Sequence, residues 1–247
     1  MRKLFFLIIA MLFFSNISLA KSYSQGQLVR DEFVVSKYFK VKLSPGDWIV
    51  VEKNRDGSYG IDLNFWGIAK VENNELTEYI RMMEFKIAGY WVGHVNPIIH
   101  ELTFKDKYDG CYERPEYYLL ELYTKGSTHN CMIVSHLDLF KEIFNPDDPI
   151  YGKASVAKLK KWINDTKVNY PRIALHSHHD FFSHTIRGDW LRVTYTANPK
   201  IYNAPEAKKL SEENSEYHKY NIENFPEHKN MMEKWISISA KRHKEFE

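Results

Sequence analysis

The segment ALHSHHDFFSHTIRGDW, residues 174 to 190, places four histidines and two aspartates within seventeen positions. Imidazoles and carboxylates hold divalent metals, and a metal-bound water is a nucleophile at neutral pH, so the chemistry to consider first is metal-assisted hydrolysis. If residues 172 to 182 form a strand, alternation puts His176, His178 and Asp180 on one face and Leu175, Ser177, His179 and Phe181 on the other. Positions i and i+2 lie about 6.6 Å apart along a strand, so His176 and His178 can share one zinc ion. Asp180 is too far along to join both directly. A third ligand then has to come from another element, and His136, His184 and Asp189 are the candidates. A helix would align His176, Asp180 and His184 at i, i+4 and i+8. Pro171 before the segment and Ile186-Arg-Gly-Asp189 after it fit a strand entering a hairpin better.

A polar strand without chemistry explains the same residues, because neutral histidine both donates and accepts inside a hydrogen-bond network. No H-E-x-x-H is present, His100-Glu101 being followed by Leu-Thr-Phe. Ser177, His178 and Asp180 do not make a hydrolytic triad, since neighbours on one strand point to opposite faces and triad members must converge. Neither G-x-S-x-G, a Walker loop nor G-x-G-x-x-G occurs. The structural polar strand is therefore the favoured reading, with the zinc site as its rival.

Trp48, Trp66, Trp91 and Trp190, with tyrosines between them, pose a similar choice between a stacking surface and core filling, and large rings at alternating strand positions favour core. Asn164-Asp-Thr166 is a formal glycosylation sequon inside an expected helix, and is read as incidental.

The N-terminus reads MRKLFFLIIAMLFFSNISLA: two cations, an apolar run from Leu4 to Phe14, then a Ser18-Leu19-Ala20 close. This is the pattern of a signal peptide cleaved after Ala20. Eleven apolar residues reach about 16 Å as a helix, short of a ~30 Å hydrocarbon core, and residue 21 is Lys and not the lipid-accepting Cys. The expectation is a mature domain over residues 21–247 with no stable membrane anchor, placed in the bacterial periplasm or outside the cell. Of the 34 basic residues, Arg2 and Lys3 leave with the leader, so the remainder matches the 32 acidic residues. A neutral chain has no net field toward phosphate backbones or anionic lipid, which argues against nucleic acid as a partner, although a local patch can still exist. In an oxidising compartment the two cysteines, Cys111 and Cys131, are expected to form a disulfide, whose loop of about twenty residues would add about 3 kcal/mol.

The elements that must position these groups read as follows. FKVKL from Phe39, WIVVEKN and YGIDLNFWGIAKV are strand-like and are separated by Ser44-Pro45-Gly46-Asp47 and Arg55-Asp56-Gly57-Ser58. Glu72-Asn73-Asn74 closes the next turn, and LTEYIRMMEFKIAG is taken as a strand from its context. YYLLELYT (117–124) and NCMIVSHLDLF (130–140) are further strands. Beyond Pro149, Val156, Leu159 and Ile163 recur at helical spacing, with lysines mostly elsewhere, as in an amphipathic helix. RIALHSHHDFF and WLRVTYT return to strand, and Asn198-Pro199 stops the second. Met231, Trp235 and Ile238 mark a C-terminal helix. Residues 206–221, poor in apolar positions, read as a solvated helix or lead-in. The sum is one α+β domain: a meander-like antiparallel sheet with a helix after residue 149 and a C-terminal helix packed on it. Function then reads as an exported, non-enzymatic binding or envelope-associated protein with an envelope or small-molecule partner. The alternative is a zinc-dependent hydrolase using the 176–184 histidines.

Overall fold

The structure, a computed structural model, describes residues 22–36, 39–58, 61–87, 118–125, 128–144, 152–183 and 189–245. The expected leader, Trp91, His100, Cys111 and His184 lie outside the described residues. Among the described residues ten strands form: β1 (Leu28–Val29), β2 (Glu32–Val34), β3 (Lys40–Lys42), β4 (Trp48–Ser58), β5 (Ile61–Glu72), β6 (Glu75–Ile87), β7 (Leu119–Lys125), β8 (Thr128–Asp138), β9 (Ile173–Ser183) and β10 (Asp189–Ala197). Among the described residues three helices accompany them: α1 (Leu139–Phe144), α2 (Gly152–Thr166) and α3 (Pro226–Lys244).

Eight strands make one sheet in the order β1-β4-β5-β6-β10-β9-β8-β7, and β2 and β3 pair separately as a small ribbon. Every pairing in the main sheet is antiparallel. It is not one meander but two, β4-β5-β6 and β7-β8-β9-β10, joined where β10 pairs with β6 from Asp189↔Lys86 to Ala197↔Glu78. The turn after β5 follows from its sequence: Asn73 and Asn74 both take left-handed backbone (φ 52° and 61°), as a tight two-residue hairpin turn requires and asparagine tolerates.

Both faces of the sheet are covered. On one, Trp48, Ile68, Met82, Val134, Leu175 and Val193 pack with Met231, Met232 and Trp235 of α3, and with Tyr23, Phe33 and Val41 from the N-terminal segment and ribbon. On the other, Ala69, Tyr79, Leu137 and Ala174 meet Leu139 and Ile143 of α1 and Leu159 and Ile163 of α2. The strand expected to run to Phe140 ends earlier. Asp138 Oδ1 accepts the backbone N–H groups of Phe140 (3.0 Å) and Lys141 (3.2 Å), so it caps a helix in the manner of an N-cap carboxylate. Residues 206–221 are turns, not a helix, and are less solvated than their composition suggests: Ser215, Glu216, Tyr217 and His218 are buried. Among the described residues no helix is long and apolar enough to cross a membrane.

Candidate functional site

β9 is a central strand, paired with β10 on one side and β8 on the other, and it alternates as its sequence requires. On the α1–α2 face His176 stands opposite Thr196 and Ser135, His178 opposite Thr194 and Ile133, and Asp180 opposite Arg192 and Cys131. Asp180 and Arg192 form a bidentate pair, Nε to Oδ1 at 2.8 Å and Nη2 to Oδ2 at 2.7 Å, with both residues buried. His178 Nε2 lies 2.9 Å from Asp180 Oδ2. Burial alone would raise the Asp180 carboxyl, but the Arg192 charge and His178 outweigh it and hold it well below the usual carboxylate range.

Two strands away on the same face, Glu52, Tyr79 and Arg81 form a second buried polar unit. Tyr79 donates to Glu52 Oε1, while Arg81 donates from Nε to the Tyr79 oxygen (2.8 Å) and from Nη2 to Glu52 Oε1 (3.3 Å). A bulge between Val50 and Glu52 directs both Val51 and Glu52 to this face. Gly67, opposite Glu52 and Arg81 on the strand between them, leaves the space the unit occupies: a Cβ there would come within 2.8 Å of the Tyr79 hydroxyl and 3.0 Å of Glu52 Cβ. Burial pushes the Tyr79 hydroxyl well above its ordinary range, with Arg81 opposing and Glu52 adding to the rise.

Between these units a cavity of about 20 Å³, room for a water molecule, lies under α1 and α2. His176, Arg81, Tyr79, Thr194 and Thr196 form its floor, and Leu139, Ile143 and Leu159 line it from the helices. His176 Nδ1 is buried with no hydrogen-bond partner among the described residues. Burial, reinforced by neighbouring His178 and His136, depresses the His176 imidazole to about 3, so it is neutral in any ordinary buffer.

The opposite face carries a separate histidine relay. His179 Nε2 is 3.1 Å from Ser177 Oγ, and its Nδ1 is 3.0 Å from His243 Nδ1 on α3. The His243 ring stacks on those of His179 and Phe181 at 5.2 and 4.8 Å. All three polar residues are buried. Burial depresses His243 to about 4, and burial together with the His243 neighbour takes His179 well below its ordinary range. Ser177 thus meets a histidine after all, but it is His179 and not His178, and α3 covers the pair.

Of the candidate ligands, the structure brings His176, His178 and Asp180 onto one face and separates His136 from them. His136 points to the α3 face, opposite Leu175, and its Nε2 is 2.9 Å from the Glu212 carbonyl oxygen. That separation is the period of two at work: His136 pairs with an odd-numbered residue of β9, whereas His176 and His178 are even. Burial lowers His136 to about 4. Among the described residues no group of three or more His, Cys, Asp or Glu side chains could hold a metal ion. Cys131 is buried on β8, and its expected partner Cys111 lies outside the described residues. Trp48 is fully buried, and Trp66 packs partly buried against the same core.

Sequence reasoning missed Glu52, Arg81, Arg192 and His243. Their signal was present: Arg81 in YIRMM and Arg192 in WLRVT are charges inside otherwise apolar strands, a placement that demands a buried partner. No family model matches the chain, and neither a curated protein nor a solved structure matches it.

Proposed function

We propose that this chain is an exported protein of the bacterial periplasm or cell exterior that acts by binding, as an envelope component without chemistry of its own. One observation carries the reading: apart from His176 Nδ1, the polar groups on and beside the histidine strand that the structure describes are already engaged by neighbouring elements. Asp180 is clasped by Arg192, His179 is held between Ser177 and His243, and His136 bonds a backbone carbonyl. A catalytic acid, base or metal ligand has to reach substrate or ion within hydrogen-bond or coordination distance. Groups already paired in the interior serve instead to fix strand register and the seating of α3.

A second reading, the zinc-dependent hydrolase, draws on one specific feature, the unpartnered Nδ1 of His176 on the face it shares with His178. In that reading the two histidines hold the ion, and His184 or an acid completes the site. Elemental analysis of the purified protein, with thermal melts in chelator and in added zinc, separates the two. The binding reading expects a metal-free protein whose melting is indifferent to both. Stoichiometric zinc, with a melt that falls on chelation, overturns it in favour of the hydrolase.

A further inference from the structure

We infer that the surface where α1, α2 and the entry to β9 meet docks on a membrane rich in anionic phospholipid. The proposal deepens the envelope-component reading and rests on it for access to such a membrane.

Three rings form a continuous row here: Phe140 and Phe144, with centroids 4.7 Å apart, and Tyr170, 6.2 Å from Phe144. Phe140 is 41% exposed, one of few large apolar side chains in the described residues left that open to solvent. Cations lie on the ring faces, with the Arg172 guanidinium 4.4 Å from the Phe140 centroid and Lys160 Nζ 5.2 Å from that of Phe144. Lys141, half exposed, follows Phe140 in α1, and its acidic neighbour there, Glu213, is a loose and solvent-exposed partner at 3.9 Å. Residues 152–167 contribute five lysines against one aspartate, in a chain that is otherwise nearly balanced. The apolar side of α2 is already buried through Leu159 and Ile163, so this basic side faces outward, with Lys160 and Lys161 exposed.

Arg172 is held at 2.7 Å by the buried Asp138 carboxylate and braces the ring, so the phosphate contacts fall to Lys141 and Lys160. Rings flanked by such lysines suit a lipid interface, where the aromatic edge enters the headgroup layer and the cations reach phosphate. A polysaccharide fits less well. Sugar stacking needs an open ring face, and these faces are taken by one another and by the cations. The overall neutrality of the chain is no obstacle, because each Lys or Arg near an anionic surface acts within a Debye length. The attraction is therefore local, reversible and sensitive to salt.

The test is flotation of the purified protein with two kinds of vesicle, phosphatidylcholine alone and phosphatidylcholine mixed with phosphatidylglycerol, at low and high salt. The protein is expected to float with the anionic vesicles at low salt only. The double change Lys141→Glu with Lys160→Glu should lower the partition constant at least about fivefold, since one cation at an anionic surface contributes about that factor. Phe140→Ser should lower it by a similar factor of about five or more, because it takes the exposed ring out of the interface. Lys229→Glu on α3 should leave it unchanged, and melting curves show that each variant is folded. Absence of flotation, equal flotation with neutral vesicles, unchanged flotation of both variants, or capture by a soluble polyanion in place of vesicles overturns the proposal. Vesicle binding is read on purified protein and export on fractionated cells, so the two readings fail separately.

Discussion

Asp180 and Arg192 show how much one buried charge matters. Each is acceptable in the sheet interior only because the other is there in bidentate geometry. Asp180→Asn keeps the shape and removes the anion, which strands a buried guanidinium. Urea unfolding should record a loss of about 3–5 kcal/mol, and replacing both partners with apolar residues should cost less than the single change. Gly67 makes a complementary case. Gly67→Ala drives a methyl against Glu52 and the Tyr79 hydroxyl, and should destabilise by about 1–3 kcal/mol. Tyr79→Phe in the same chain should recover part of that loss by removing the nearer contact. Neither dependence was legible in the sequence. Alternation told which residues of β9 share a face, but the partners sit on β10, β6 and β4, and which strands become neighbours is not a local property.

At the scale of the element, α3 is held by the histidine relay as well as by Trp235. The groups around His243 are His179 and Ser177 beneath it, the Asp180 carboxylate, whose charge opposes the effect of burial, the Arg242–Glu78 pair beside it (3.0 Å), and Glu245, which reaches Lys42. His243 and His136 have folded values near 4, below the ordinary 6.5, so the folded state stabilises their neutral forms. Above pH 6.5 neither the folded nor the unfolded chain protonates these groups, and their contribution is complete. Between 6.5 and 4 the unfolded chain takes up protons that the folded chain refuses, and stability falls by about 1.4 kcal/mol per pH unit for each histidine. Denaturant midpoints should drop from pH 7 to pH 5. His243→Phe, which keeps a ring on Phe181, should make that slope shallower by about one proton. α3 itself was legible from the spacing of Met231 and Trp235. The end of β8 was not, because Leu139-Phe140 continues the apolar pattern and only the Asp138 side chain, turned onto the N–H groups of Phe140 and Lys141, converts strand to helix.

For the whole molecule, the sequence supports an α+β domain and its strands, and the structure carries both. Consecutive hairpins led to the expectation of a meander-like antiparallel sheet with its strand order open, and the order turns on β10 pairing with β6, which brings together residues more than a hundred positions apart. Nothing in either strand announces the other. The proposed export and the expected Cys111–Cys131 bridge are tested at this scale too. N-terminal sequencing of the protein recovered from the periplasm or medium should begin at Lys21. Reduction should lower its melting temperature, by an amount consistent with about 3 kcal/mol for a loop of this size. Recovery from the cytosol with the leader attached and both thiols titratable would remove both proposals together. The join between the two meanders also sets a timetable. The strand at the middle of the sheet is the last of its strands to be synthesised, so a growing polypeptide has two unfinished halves and no closed layer until residue 197 has left the ribosome. A late and long-range closure of this kind is slow, and under the proposed export it would keep the nascent chain threadable during translocation.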